Sequence, residues 1–282
     1  MKTLIFTTFA MTAFAANSVL GRLALKGELI DAGSFSAIRL FSGAMMLLLL
    51  VILNKTMNKN SGSIRWREGS WITSLYLFVY ALAFSYAYLS LDTGSGALVL
   101  FAAVQVTMVI MSLIKGKMLS RYEWLGLIIA FSGLSYLLLP SATAPPLLPA
   151  LLMLVSGIAW GLYTLAGKGA ADPLLQSCNN FLRTIPFIAV LLLFTLEQST
   201  ITTNGVLLAI ASGAITSGLG YAIWYVALKG LTVTQAAVVQ LSVPIIAAFG
   251  GVFFVNEAIS TALVISALLV LGGILVSSIV KR

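Results

Sequence analysis

Apolar residues run along this chain in blocks of about twenty, parted by short polar stretches. Ten blocks can be delimited, at 3–22, 34–53, 70–91, 94–114, 122–139, 149–167, 174–196, 204–228, 232–254 and 259–280. A helix rises about 1.5 Å per residue and a bilayer core is about 30 Å thick, so each block has the length of one crossing. A transmembrane β-barrel would instead alternate polar and apolar positions. The pattern predicts an all-α membrane protein with ten transmembrane helices.

Composition agrees and excludes other classes. The chain has 282 residues, of which 60% are hydrophobic and only 9% charged. A soluble domain carries about a quarter charged residues. There is no His and a single Cys, Cys178. The commonest metal ligand, an internal disulfide and a cysteine metal site are therefore out of reach. No P-loop, HExxH or GxSxG string occurs. No catalytic residue, metal site or cofactor is expected, and the protein reads as a non-enzyme. The net charge of +8 does not point to nucleic acid, because the charges sit between apolar blocks. Basic loops of that kind set orientation in a bilayer.

The first block admits two readings. Lys2, the run from Leu4 to Thr12 and then Ala13-Phe14-Ala15-Ala16 have the order of a secretory signal. The alternative is an uncleaved first helix, preferred because the block has a counterpart later in the chain. With the N-terminus inside, twelve of the 16 Lys and Arg fall on inner segments and only Arg22 and Lys26 on outer ones. This asymmetry predicts an even number of crossings, with both termini in the cytoplasm.

The chain also repeats itself in order. Ile38-Arg39 matches Leu182-Arg183, Phe14 to Asn17 matches Trp160 to Tyr163, and Tyr88 to Leu91 matches Tyr225 to Leu228. Ala97 to Gln105 matches Ala236 to Pro244, Lys117 to Ser120 matches Glu257 to Ser260, and Gly133 matches Gly273. The implied division is a first repeat at 1–139, a proline-rich extracytoplasmic linker at 140–148 and a second repeat at 149–282. Five crossings per repeat is an odd number, so the second repeat enters the membrane inverted. Many secondary transporters share that architecture, with a substrate site between the halves.

These features resemble the drug/metabolite transporter superfamily, and within it the ten-helix EamA family. The resemblance is carried by Arg39 and Arg183, Trp160-Gly161, Tyr225-Val226-Ala227-Leu228, Pro244, and Asn256 to Ser260 followed by Gly273. Phe14-Ala15, Gln105 and Lys117 depart from the family's usual Trp-Gly, Pro and Glu. The resemblance implies a multi-pass inner-membrane carrier of small metabolites, often an exporter of amino acids or related solutes. It also implies a small-molecule substrate and membrane lipid as partners, with monomer and homodimer both open.

Candidate site residues follow from side-chain chemistry. Tyr76, Tyr80, Phe84 and Tyr88 form an i, i+4 stripe on one helix, and Ser217, Tyr221, Trp224 and Tyr225 lie on a similar face of another. With Trp160 and Tyr163 these rings are expected either to wall a central cavity or to pack and sit at the headgroups. Tyr76, near its segment's start, is assigned to the headgroup level. Asn17, Gln105 and Gln240 are amides inside apolar blocks, either binding substrate or gluing helices. Arg39 and Arg183 are read as the charges deep inside blocks. The preferred role for both is to anchor helix ends or bond backbone carbonyls, with Arg39 reaching outward; the alternative is to receive an anionic group. All eight acids fall in connections or at helix ends. No membrane-embedded acid is thus available for proton coupling, and either facilitated diffusion or coupling by another route is expected. A flippase of lipid-linked intermediates and an assembly subunit are the competing functions.

Overall fold

A computed structural model describes residues 2–57, 68–114, 116, 120–139, 144–167, 170–195, 200–231, 239–240 and 242–278. Among these there is no strand, and ten helical passes follow one another. The first six are α1 (Lys2–Lys26), α2 (Ala32–Met57), α3 (Trp71–Tyr88), α4 (Thr93–Ile114), α5 (Arg121–Leu138) and α6 (Leu147–Gly167). The seventh pass is two helices, α7 (Pro173–Leu182) and α8 (Ile185–Thr195). The eighth is α9 (Thr203–Ile210), a π-helical stretch (Ala211–Leu219) and α10 (Gly220–Leu228). α11 (Ser242–Val255) and α12 (Thr261–Ser278) complete the chain. Six of the passes are both long and apolar enough to cross a bilayer, and α3, α11 and α12 are shorter apolar helices. Residues 232–238, Glu197, Pro140, Lys117 and most basic residues counted for sidedness (Lys59, Arg65, Arg67, Lys115, Lys168, Lys281, Arg282) lie outside the described residues.

The passes follow the apolar blocks closely, and three differences have physical causes. α1 runs on to Lys26, so Arg22 lies within a helix rather than in a connection. The seventh pass breaks at Arg183 and Thr184. Pro186 has no N–H to offer the carbonyl of Leu182, four residues back, and its ring crowds that carbonyl. The eighth pass widens to π geometry where a run of small residues (Ala211, Ser212, Gly213, Ala214) lets α2 come close. There α2 lies so close that a Cβ on Gly213 would overlap the Arg39 carbonyl and the Ser42 hydroxyl. Such wide turns gather at functional sites in helices.

Helix starts carry local caps. Ser70 accepts the Thr73 N–H at 3.1 Å, Ser120 and Glu123 form a reciprocal capping box, and Asp172 caps α7 ahead of Pro173. α6 begins at Leu147 rather than 149, with Pro149 in its first turn, where a missing N–H costs nothing.

Packing runs across the chain more than along it. α3 and α4 lie against α6, α1 lies against α10 and α11, and α4 lies against α11. α2 meets the π stretch and α7, and α5 pairs with α12. Glycines permit the closest approaches: Gly157 faces the Leu100 carbonyl of α4, and Gly273 faces Gly126 and Ala130 of α5. The outer surface is apolar, with Phe194 at 82%, Leu193 at 78% and Phe253 at 76% exposure. Water would not tolerate such a surface over whole helices, and lipid requires it.

The connections meet in two sets. At one end, the 1–2 connection joins the 7–8 connection through Asp31 N–H to the Thr200 carbonyl (3.0 Å) and Thr202 N–H to the Leu29 carbonyl (2.9 Å). Ile30 and Ile201 form a single antiparallel bridge there. At the other end, Ser70 N–H donates to Asn180 (3.1 Å), and Gly230 sits against Thr3.

The Gly213 contact predicts a stability difference. Gly213→Ala should lower the melting temperature of the detergent-solubilised protein, by an overpacking cost of about 1–3 kcal/mol. Gly272→Ala, whose Cβ would meet nothing within 4 Å, should leave it unchanged or raise it. Equal melting temperatures for the two variants would refute the close approach of α2.

Candidate functional site

A small enclosed cavity lies where α1, α3, α4, α6 and the eighth pass converge. Rings make most of its wall: Phe14 from α1, Tyr80 and Phe84 from α3, Trp160 from α6 and Tyr221 from α10. Trp160 is central, 4.9 Å from both Tyr80 and Tyr221 by ring centroid. Phe14 meets Trp160, Tyr221 and Trp224 edge-on at 6.4, 5.8 and 6.0 Å. Tilted and edge-on pairs of this kind suit the ring quadrupoles and add about 0.5–1.5 kcal/mol each.

One side of the wall is polar. Asn17 Oδ1 accepts from the Ser212 hydroxyl at 2.6 Å and from Thr216 at 3.2 Å. Its amide donates to the Tyr80 hydroxyl at 3.3 Å. Arg39 donates to the same hydroxyl at 2.7 Å, and more weakly to Ser217 at 3.4 Å. The Arg39 guanidinium also lies over the rings of Tyr80 (5.0 Å) and Phe84 (4.6 Å). Asn17, Tyr80, Arg39 and three hydroxyls of the π stretch thus form one connected cluster spanning α1, α2, α3 and the eighth pass. The wide π turn turns Ser212, Thr216 and Ser217 to one side together. The cavity's free volume is about 20 Å³, room for one water and far below the hundreds of Å³ of a solute pocket. The rings are closed over the site.

The expected residues divide into three groups. Asn17, Tyr80, Phe84, Trp160 and Tyr221 line the cavity. Tyr163, stacked on Trp160 at 5.4 Å, and Trp224, against Phe14, form a second layer. Tyr88, Tyr225, Gln105 and Gln240 do not line it. Tyr88 is turned to the connection after α3, with its hydroxyl 3.3 Å from the Thr93 carbonyl. Tyr225 reaches the end of α6 at Gly167. Gln105 and Gln240 are half-buried, Gln105 one turn beyond Phe101. Sequence reasoning missed Ser212 and Thr216. Their i, i+4 spacing opposite a buried amide was the available signal.

The two arginines behave differently from one another. Arg183 donates to the Glu68 carbonyl at 2.8 Å, which ties the break in the seventh pass to the start of α3. Arg39 does not reach outward. It is the eighth residue of α2, is 1% exposed, and meets side chains and rings instead of carbonyls.

Arg22 is a second buried arginine. Its Nε donates to Glu257 at 2.8 Å and its Nη2 to Asp92 at 3.3 Å. Its Nη1 bonds the carbonyls of Tyr88 (2.9 Å) and Leu89 (3.0 Å). Glu257 also accepts the Thr93 N–H at 2.8 Å. Asn256, at φ +55, turns the chain after α11, a backbone state Asn tolerates well. Glu257 N–H then bonds back to the Gly251 carbonyl at 3.1 Å. Glu257 therefore belongs to a connection, as expected, but its side chain is only 6% exposed. The node clamps α1 to the 3–4 and 9–10 connections.

Comparison with known proteins decides the family. The EamA-like transporter family model matches residues 147–279. The Pseudomonas aeruginosa protein PA1977, uncharacterized, is 52% identical over 273 residues, covering 97% of this chain and 93% of its own. The Bacillus subtilis uncharacterized transporter YoaV is 22% identical over 253 residues, covering 86% of each. The chain belongs to the EamA-like transporter family. A solved crystal structure is similar at 18% identity, covering 96% of both chains with a TM-score of 0.65, which bears on the fold alone. This EamA-like protein is an integral, multi-pass protein of the inner membrane. Its family is one of membrane transporters of small solutes, which suggests a non-enzymatic role.

The arginine node of this EamA-like transporter yields a ranked expectation. Glu257→Ala leaves a buried guanidinium without its main counterion, a loss of about 3–5 kcal/mol. Asp92 is 57% exposed, and its pair with Arg22 is worth under about 1 kcal/mol. Thermal unfolding of Glu257→Ala and Asp92→Ala checks the ranking, which similar losses in both would overturn.

Proposed function

We propose that this transporter carries small metabolites, amino acids or related solutes, outward across the inner membrane by alternating access. The observation that carries the reading is the aromatic and amide-lined cavity between α1, α3, α4, α6 and the eighth pass. Rings of this kind accept a flat or apolar group, and the Asn17–Tyr80 cluster offers hydrogen bonds to a polar one. The cavity opens by parting the helices that meet there. Its volume rises from about 20 Å³ to the roughly 300 Å³ or more that a solute needs.

The rocking units are two inverted repeats, residues 1–139 and 149–282, joined by the 140–148 strap, with both termini in the cytoplasm. The helix pairing supports this division. Exchanging passes one to five with six to ten maps the α3–α6 contact onto α10–α1, and α4–α6 onto α11–α1. The α5–α12, α4–α11 and α2–α7 contacts map onto themselves. The clustering of the 1–2, 3–4, 7–8 and 9–10 connections at one end supports an even count of crossings. In this arrangement the Arg22 node and the Ile30–Ile201 bridge close the outer end. Neither repeat places an acid among the described residues of the cavity wall, which favours facilitated diffusion, or coupling by another route, over a proton-carrying acid in the cavity.

Purified protein in liposomes tests the reading. A thermal-shift screen over amino acids, nucleosides and quaternary amines should find ligands, and the same compounds should cross the vesicle membrane. Trp160→Ala should weaken substrate affinity about tenfold or more while the protein still folds. Gln105→Ala, outside the cavity wall, should change it less. A flux unmoved by Trp160→Ala would remove the cavity from the mechanism. Accumulation that a protonophore abolishes would replace facilitated diffusion with proton coupling. Translocation of lipid-linked probes alone would favour a flippase, and no flux of any compound an assembly role.

A further inference from the structure

We infer that Arg39 is the receptor for a carboxylate on the transported solute. The assignment rests on the central-cavity reading above and names the chemical group that the cavity selects.

Arg39 heads the large, fully buried side chains among the described residues, at 1% exposure. A guanidinium keeps its charge at any ordinary pH. A buried cation is costly unless an anion and hydrogen bonds meet it. Arg22 shows how this chain meets one, with two carboxylates and two carbonyls. Arg39 has neither. No carboxylate among the described residues pairs with it, and Glu257 and Asp92 are engaged by Arg22. Its Nη2 and Nε donate to hydroxyls. Its Nη1 is buried with no acceptor at all. The two ring faces offset part of the charge, and they supply no lone pair.

The position of those rings matters. The Tyr80 and Phe84 rings both pack against the guanidinium and both line the cavity. Arg39 thus stands directly behind the cavity wall. Enlarging the cavity for a solute moves these same rings and brings Nη1 within reach. The Tyr80 hydroxyl accepts from both Arg39 and Asn17 and lies beside the Tyr221 hydroxyl, so an incoming acceptor finds a phenol whose proton it can draw to itself. A carboxylate with one oxygen on Arg39 Nη1 and the other on the Tyr80 hydroxyl answers both groups. Charge-assisted bonds of this type are the strong ones. The rest of the solute then lies against Trp160 and Tyr221. The seat takes one carboxylate, and nothing opposite it among the described cavity residues bears a negative charge for an ammonium group. An amino acid therefore binds through its carboxylate, with its ammonium group left to hydroxyls and the Asn17 amide.

The test uses the full-length protein and a matched series: phenylalanine, phenylpropionate, phenylalaninamide and phenethylamine. Binding is read by thermal shift and by Trp fluorescence, and transport by liposome flux. Phenylalanine and phenylpropionate should bind at least about tenfold more tightly than the amide and the amine, as expected for a lost charged hydrogen bond. Arg39→Gln should abolish that preference, and Arg39→Lys should keep its direction at lower affinity. Tyr80→Phe keeps the cation and the ring and should lose only part of the preference. It stands in for Arg39→Gln if that variant fails to fold. Wild-type protein that binds acid and amide alike overturns the assignment and leaves the transporter reading standing. A preference that survives Arg39→Gln, or a Tyr80→Phe preference equal to wild type, also overturns it. No binding or flux across this series and the wider screen overturns both.

Discussion

In hydrocarbon a polar group has no water to fall back on, and that constraint organises this protein. Backbone polarity is absorbed by ten helical passes. Side-chain polarity is gathered into two clusters, Arg22 with Glu257 and Asp92 near one end, and Asn17, Tyr80 and Arg39 with the π-stretch hydroxyls in the middle. Each cluster joins helices far apart in sequence. Arg22 and Glu257 are 235 residues apart, and Asn17 and Ser212 are 195. The bilayer gives little hydrophobic force between helices. Such bonds, with glycine-mediated contacts like Gly213 on α2, therefore choose which helices become neighbours.

The same constraint decided what was legible in the sequence. Apolar blocks the length of a bilayer crossing announce helices directly, and the ten passes fall where the blocks lie. Helix interruptions were less legible. Pro186 breaks the seventh pass by removing one N–H, yet a hydropathy block runs across it unbroken. The π stretch has no composition of its own. It reflects the pressure of α2 on Gly213, a tertiary contact that a local pattern does not contain. Of the aromatic stripe on α3, Tyr80 and Phe84 turn to the cavity. Tyr88, one turn on, reaches the connection that follows the helix, where the carbonyls bonded by Arg22 lie. Periodicity gives a helix face. It does not give the depth at which that face stops lining a cavity and starts closing an end.

Charge in the sequence suggests a sidedness and conceals partnership. Arg22 counted as an outer-loop cation, whereas it is a buried residue of α1 holding three segments together. Glu257, in a connection by sequence, is buried by its turn at Asn256. The proposed repeat pairs Arg39 with Arg183, but the two side chains find different surroundings. Arg183 sits at a helix break, where a carbonyl is exposed to be bonded. Arg39 sits on an unbroken helix, where neighbouring carbonyls are already used by the helix itself. Symmetry of sequence therefore does not carry over into symmetry of role, because a guanidinium takes whatever acceptors the local backbone leaves free.

A carrier needs a site that is stable closed and able to open. Fully satisfied polar clusters resist opening, since parting them leaves unpaired groups in a dry interior. The Arg22 node is of that kind, with its guanidinium bonded to two carboxylates and two carbonyls. The central cluster is not: its arginine retains an unmet donor, and three of its hydroxyls sit on the π-helical stretch, a rare winding that gathers at functional sites. Opening there forfeits fewer bonds than opening at the node, and an incoming polar solute replaces some of those lost. The difference in satisfaction between the two clusters makes the centre the place where parting the helices forfeits least, and that is where the proposed solute site lies.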